Sequence, residues 1–167
     1  NNLGNVLKAL GNLNEAVISY EKTLSIRPDF AEAHNNLGSI YKDLGKLDSA
    51  IKSFKKALEI KPDFTEAHYN LGTTLMDLDR LDEAVKCFEN ALVIKPDYAE
   101  VHNNLGNAFK SQGSPYKAIN SYEKALSIKP NYAEAHNNLG VTLMNFGQLA
   151  LASECFEKAL NINPDYA

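Results

Sequence analysis

The amino-acid sequence predicts an all-α protein, a solenoid of 34-residue helix-turn-helix units, and three observations lead there. Pro28, Pro62, Pro96, Pro130 and Pro164 recur at intervals of 34 residues. Every glycine falls in one of two columns of that period. Gly4, Gly38, Gly72, Gly106 and Gly140 form the first, and Gly11, Gly45, Gly113 and Gly147 form the second, in which Asp79 fills the remaining place. The histidines His34, His68, His102 and His136 make a third column, and the octet Ala31 to Gly38 returns unchanged as Ala133 to Gly140. A fixed period of this length marks stacked supersecondary units, none of which buries its apolar face alone.

Each unit reads as two helices. The first runs from Ala31 to about Leu44, with Ala33, Leu37, Ile40, Tyr41 and Leu44 at helical spacing. Asp29 and Glu32, three apart, are placed to cap its start, as are Asp63/Glu66, Asp97/Glu100 and Asn131/Glu134 in the other units. Gly45 ends it, because a left-handed residue at a helix C-terminus is cheapest as glycine, and Asp79 must adopt the same conformation. The second helix spans about Asp48 to Lys61, with Ala50, Ile51, Phe54, Ala57, Leu58 and Ile60 inward. Lys61, Lys95 and Lys129 fall in its last turn, where a cation suits the helix dipole, and proline follows. The small columns, Gly38 with Ala50 and Ala57, allow helix axes to approach to ~8–10 Å.

The Leu-Gly pair, the residue three later (Tyr41, Leu75, Phe109, Leu143) and the run Ala50, Phe54, Ala57, Pro62 together resemble the tetratricopeptide repeat over essentially the whole chain. Histidine three before the Leu, where that family often carries a tryptophan or other aromatic, is the main departure. The resemblance implies a right-handed α-solenoid with repeats at 1–30 (partial), 31–64, 65–98, 99–132 and 133–166 in a single array, Ala167 opening a sixth. Both ends cut through repeats and no starting Met is present, so the expectation is a fragment of a longer array.

Composition narrows the function. The chain of 167 residues is 44% hydrophobic and 23% charged with a formal net charge of −4, a balance suited to a folded protein. It lacks basic clusters for a phosphate backbone and apolar runs of ~18 residues for a membrane span. Neither nucleic acid nor membrane is expected as a partner. Cys87 and Cys155 share a column two repeats apart, too far for a disulfide, which favours free thiols in a reducing, cytoplasmic setting. Successive histidines stand about 10 Å apart in such a stack, against zinc bonds of ~2 Å. They are read as packing residues, with no metal or other cofactor. The glutamate column is read as capping rather than as paired catalytic carboxylates, and no phosphate loop or catalytic triad is visible. No enzyme is expected within these residues.

The resemblance also implies a concave face lined by the first helix of each repeat. Spacing puts one all-asparagine column there: Asn2, Asn36, Asn70, Asn104 and Asn138. Beside it run Asn1, Asn35, Tyr69, Asn103 and Asn137, and one turn later Asn5, Ser39, Thr73, Asn107 and Val141. Asn35, Asn103 and Asn137 are expected to be the more exposed. A carboxamide offers a donor and an acceptor, matching a peptide unit. One such amide about every 10 Å fits three residues of extended chain. The arrangement is similar to the asparagine ladder of the superhelical repeats of O-linked N-acetylglucosamine transferases. The expected partner is therefore a protein or an extended peptide held by its backbone. Tyr69, Thr73 and Met76 form a candidate apolar socket, and Lys8, Lys42 and Lys110 can meet acidic side chains of a ligand. The Lys52, Lys55, Lys56 cluster reads as a solvated outer face. A grip on chaperone C-termini, as in some members of that family, is disfavoured, because the lysine positions hold asparagine or glutamate. Two alternatives remain open: a substrate-recruiting segment of a larger glycosyltransferase or other transferase, and head-to-tail self-association.

Overall fold

The structure, a computed structural model, describes residues 2–164 and contains ten helices and no strands among them. Asn1 and Ala167, and with them the end of the fifth repeat, lie outside the described residues. The chain divides into two compact units, residues 1–94 and 95–167. The first holds α1 (Asn2–Ala9), α2 (Leu13–Ile26), α3 (Ala31–Asp43), α4 (Leu47–Ile60), α5 (Thr65–Asp77) and α6 (Leu81–Ile94). The second holds α7 (Ala99–Ser111), α8 (Pro115–Ile128), α9 (Ala133–Asn145) and α10 (Leu149–Ile162). In each unit, consecutive helices pack as hairpins, each second helix packs on the first helix of the next repeat, and neighbouring first helices touch (α3 with α5, α7 with α9).

The apolar columns account for the packing. Ala16, Tyr20, Ala33, Leu37 and Ile40 form a core cluster in the first unit. Ala118, Tyr122, Leu139, Leu143, Ala152 and Cys155 form one in the second. A Cβ added at Gly72 would stand 2.6 Å from the Phe88 ring, so the aromatic of the second helix occupies the space a side chain would need. Glycine in that column is therefore required by close approach, despite costing about 1 kcal/mol in helix propensity relative to alanine.

The first helices stop as expected. Gly45 has φ +72°, its N–H donates to the Lys42 carbonyl (2.9 Å), and the Lys46 N–H donates to the Tyr41 carbonyl (2.8 Å). That is the paired bonding of a Schellman motif. Asp79 adopts the same conformation at φ +57°, with Asp79 and Arg80 donating to Met76 and Leu75 (both 2.9 Å).

The helix starts differ from expectation. Phe30, not Asp29, is the N-cap of α3, its carbonyl accepts the first helical bonds, and no side-chain cap forms. Phe64, Tyr98 and Tyr132 occupy the same place in α5, α7 and α9, also without a side-chain cap. Phe30 packs against the core, so burial of its ring sets where the helix begins and leaves Asp29 one residue outside the cap. Lys61 and Lys129 are likewise C-caps rather than last-turn residues. Their ammonium groups lie 4.9 Å and 4.6 Å from the ring centres of Phe64 and Tyr132, as Lys95 lies 4.8 Å from Tyr98. The aromatic three residues downstream attracts each cation by its ring quadrupole.

Candidate functional site

Two asparagines expected on the surface are interior. In the first unit, Asn35 is 1% exposed, donates from Nδ2 to Glu66 (3.3 Å) and accepts from Asn70 Nδ2 (3.0 Å). In the second, Asn103 is fully buried, donates to Glu134 (3.0 Å) and accepts from Asn138 Nδ2 (3.1 Å). The pattern repeats at offsets of 31 and 35 residues, which bring two positions one helical turn apart on the next first helix around the amide. Burial here is imposed by the neighbouring helix, which position within a single helix does not reveal. The glutamate column correspondingly serves in tertiary contacts. Glu66 and Glu134 accept from asparagine, while Glu32 and Glu100 meet Lys61 (3.6 Å) and Lys129 (3.0 Å). The hydrogen bond from Lys129 holds the Glu100 carboxyl below its ordinary range, against an opposing effect of partial burial.

Asn5 and Asn107 satisfy tyrosine hydroxyls of their own repeats. The Tyr20 hydroxyl donates to Asn5 Oδ1, and the Tyr122 hydroxyl to Asn107 Oδ1 (2.8 Å). Asn36 Nδ2 joins the first group, reaching the Tyr20 oxygen (3.2 Å) and Asn5 Oδ1 (3.4 Å). Burial pushes the phenol pKa of both Tyr20 and Tyr122 upward, so each keeps its proton to donate. The signal was in the sequence. Asparagine occupies this column where the second helix carries tyrosine (Tyr20, Tyr122), whereas Ser39, Thr73 and Val141 accompany Phe54, Phe88 and Phe156.

Lys8 and Lys42 are also engaged. Lys8 bonds Ser39 Oγ and pairs with Asp43 (3.0 Å), and Lys42 bonds Thr73 Oγ1 (2.9 Å) and pairs with Asp77 (3.1 Å). They join neighbouring first helices and are not available for ligand carboxylates as expected. Thr73 further donates to the Asn70 carbonyl (3.0 Å), and the Tyr69 ring packs 6.3 Å from that of Phe88. Both make these internal contacts beside Met76, and all three residues of the candidate apolar socket are half-buried. Among the other candidates, Asn2 is exposed, and Asn104, Asn107, Asn137 and Asn138 are half-buried.

Each histidine uses Nε2 on the carbonyl of the proline six residues before it. His34 and Pro28 are 2.8 Å apart, and His68/Pro62, His102/Pro96 and His136/Pro130 are 2.9 Å apart. The carbonyl can only accept, so Nε2 carries the proton. Nδ1 of His68, His102 and His136 is buried without a partner. No group of three metal-ligating side chains occurs among the described residues, and no helix there is long and apolar enough to cross a membrane. Cys87 and Cys155 are buried free thiols.

A family profile described as TPR repeat matches residues 4–45, 38–79 and 72–113, and one described as tetratricopeptide repeat matches 99–132 and 133–166. No match was found among curated protein sequences. Among solved structures, a crystal structure of MamA superposes with a TM-score of 0.90 at 31% identity, covering 97% of this chain and 95% of that one. YrrB, described as a TPR protein with an unusual peptide-binding site, gives 0.82 at 26% identity over 99% and 85% of the two chains. PilF of Pseudomonas aeruginosa, at 22% identity over 97% and 74%, shares the fold with a TM-score of 0.89.

Proposed function

The chain belongs to the tetratricopeptide repeat family, and on that premise we propose that it is a protein-binding scaffold that holds an extended peptide by its backbone along the first-helix face. The observation that carries this reading is the state of Asn36, Asn70 and Asn138. Each spends its amide nitrogen on the preceding repeat, while no hydrogen bond reaches its Oδ1 among the described residues. Tethering through nitrogen fixes each carboxamide before any ligand arrives, so little side-chain entropy is lost when a peptide N–H donates to the oxygen. The ladder inferred from sequence is thereby narrowed unit by unit: Asn36 and Asn70 in the first and Asn138 in the second act as oriented acceptors, with Tyr20 and Asn5 holding Asn36, Asn35 holding Asn70 and Asn103 holding Asn138. The likeness to YrrB, whose description names a peptide-binding site, adds weight to the same reading.

Twelve-residue peptides selected by display against the intact chain test it. Backbone N-methylation at alternate positions removes the donors and is expected to weaken capture at least tenfold. Asn36→Ala should weaken the unmethylated peptide at unchanged helicity. Equal capture of methylated and unmethylated peptides would overturn the reading.

A further inference from the structure

Lys110 is the lysine of its column without an ion-pair partner among the described residues, and we propose that it receives an acidic side chain of the bound peptide. The proposal rests on the peptide-holding reading and assigns it a specificity determinant. In the first unit, each lysine of the column reaches forward 31 residues to a hydroxyl and 35 residues to an aspartate. Lys8 meets Ser39 and Asp43, and Lys42 meets Thr73 and Asp77. For Lys110 the same offsets give Val141, which has no hydroxyl, and Asn145, which has no charge. Lys110 accordingly makes no ion pair or hydrogen bond through Nζ among the described residues.

Its surroundings favour a carboxylate. Asn107, one turn before it on α7, is half-buried and uses its Oδ1 to accept from Tyr122, which leaves its amide N–H groups as donors. Residues three apart on a helix are neighbours, so ammonium and amide can converge on one oxygen pair. Glu134, a carboxylate of the next first helix, is bound to Asn103, which lies seven residues before Lys110 and about 10 Å along the helix. A ligand aspartate or glutamate would then stand where Asp77 stands for Lys42, supplied from outside the chain.

The test uses the whole chain and a fluorescein-labelled positional library of twelve-residue peptides, with Asp, Asn or Ala fixed at each position in turn. Wild type should prefer Asp over Asn at one position by about three- to tenfold at low salt. The preference should vanish in Lys110→Gln and survive in Lys110→Arg. It should also vanish in Asn145→Asp, which rebuilds the internal pair of Lys42 and Asp77 without touching the amides. Absence of an Asp preference in wild type, or its persistence in both Lys110→Gln and Asn145→Asp, would overturn the proposal. In that case sensitivity of the Asn-fixed peptides to backbone N-methylation would show that the scaffold reading stands alone. Conversely, Asp selection through Lys110 that ignores N-methylation would support the lysine site while removing the backbone grip on which its present form rests.

Discussion

Asn103 has no exposed surface, gives its nitrogen to Glu134 and takes Asn138 on its oxygen. Such a residue cannot be a ligand contact, and its removal strands two polar partners beside a cavity. Asn103→Ala is therefore expected to lower stability by about 1–3 kcal/mol in urea unfolding, the range for orphaned buried hydrogen-bonding groups. A loss below half a kcal/mol would show that the network carries no weight. The same residue type one position later in the helix, Asn104, is half-buried. Composition and spacing placed both columns on the first helices. The burial of Asn35 and Asn103 depends on neighbours 31 and 35 residues away, which no single-helix reading contains.

At the scale of the element, helix ends were half legible. The stops were, because a left-handed residue is a local requirement that glycine meets wherever it falls. Asp79, at φ +57° where the equivalent glycines lie between +68° and +77°, bears the steric cost of a Cβ in that conformation. Asp79→Gly should raise stability by about 0.5–1 kcal/mol, partly offset by the greater freedom of glycine in the unfolded chain. A lowered urea midpoint would contradict it. The starts were not legible, because the aromatic N-caps answer to core burial rather than to hydrogen bonding. Phe30 displaces the expected Asp29 cap, and the freed Glu32 turns to Lys61. In each case a tertiary contact outweighs a local one worth typically ~1 kcal/mol.

At the scale of the molecule, each compact unit contains one buried thiol, Cys87 in the first and Cys155 in the second. Burial raises both, and Glu83 adds to the effect at Cys87, which is pushed up to about 11 against the opposing pull of Lys55. Neither should react appreciably with iodoacetamide in neutral buffer, while both should label at the rate of a free thiol in urea, each reporting on its own unit. Fast stoichiometric labelling of the native chain would refute this. The linkage has a definite sign. The folded state holds the Cys87 proton more tightly than the unfolded one, so its contribution to stability is present below about pH 9 and is lost as pH climbs toward 11.

The sequence by itself determined the repeat length, the hairpin architecture, the helix stops and the close approach at the Gly72 column. These follow from steric and periodic rules that act within one unit and are copied along the chain. Only the tertiary structure decided which asparagines are buried and which lysines are paired among the described residues. Those outcomes depend on what the next hairpin places opposite a given side chain, as Asp77 is placed for Lys42. In the low-dielectric space between helices a missing partner matters as much as a present one.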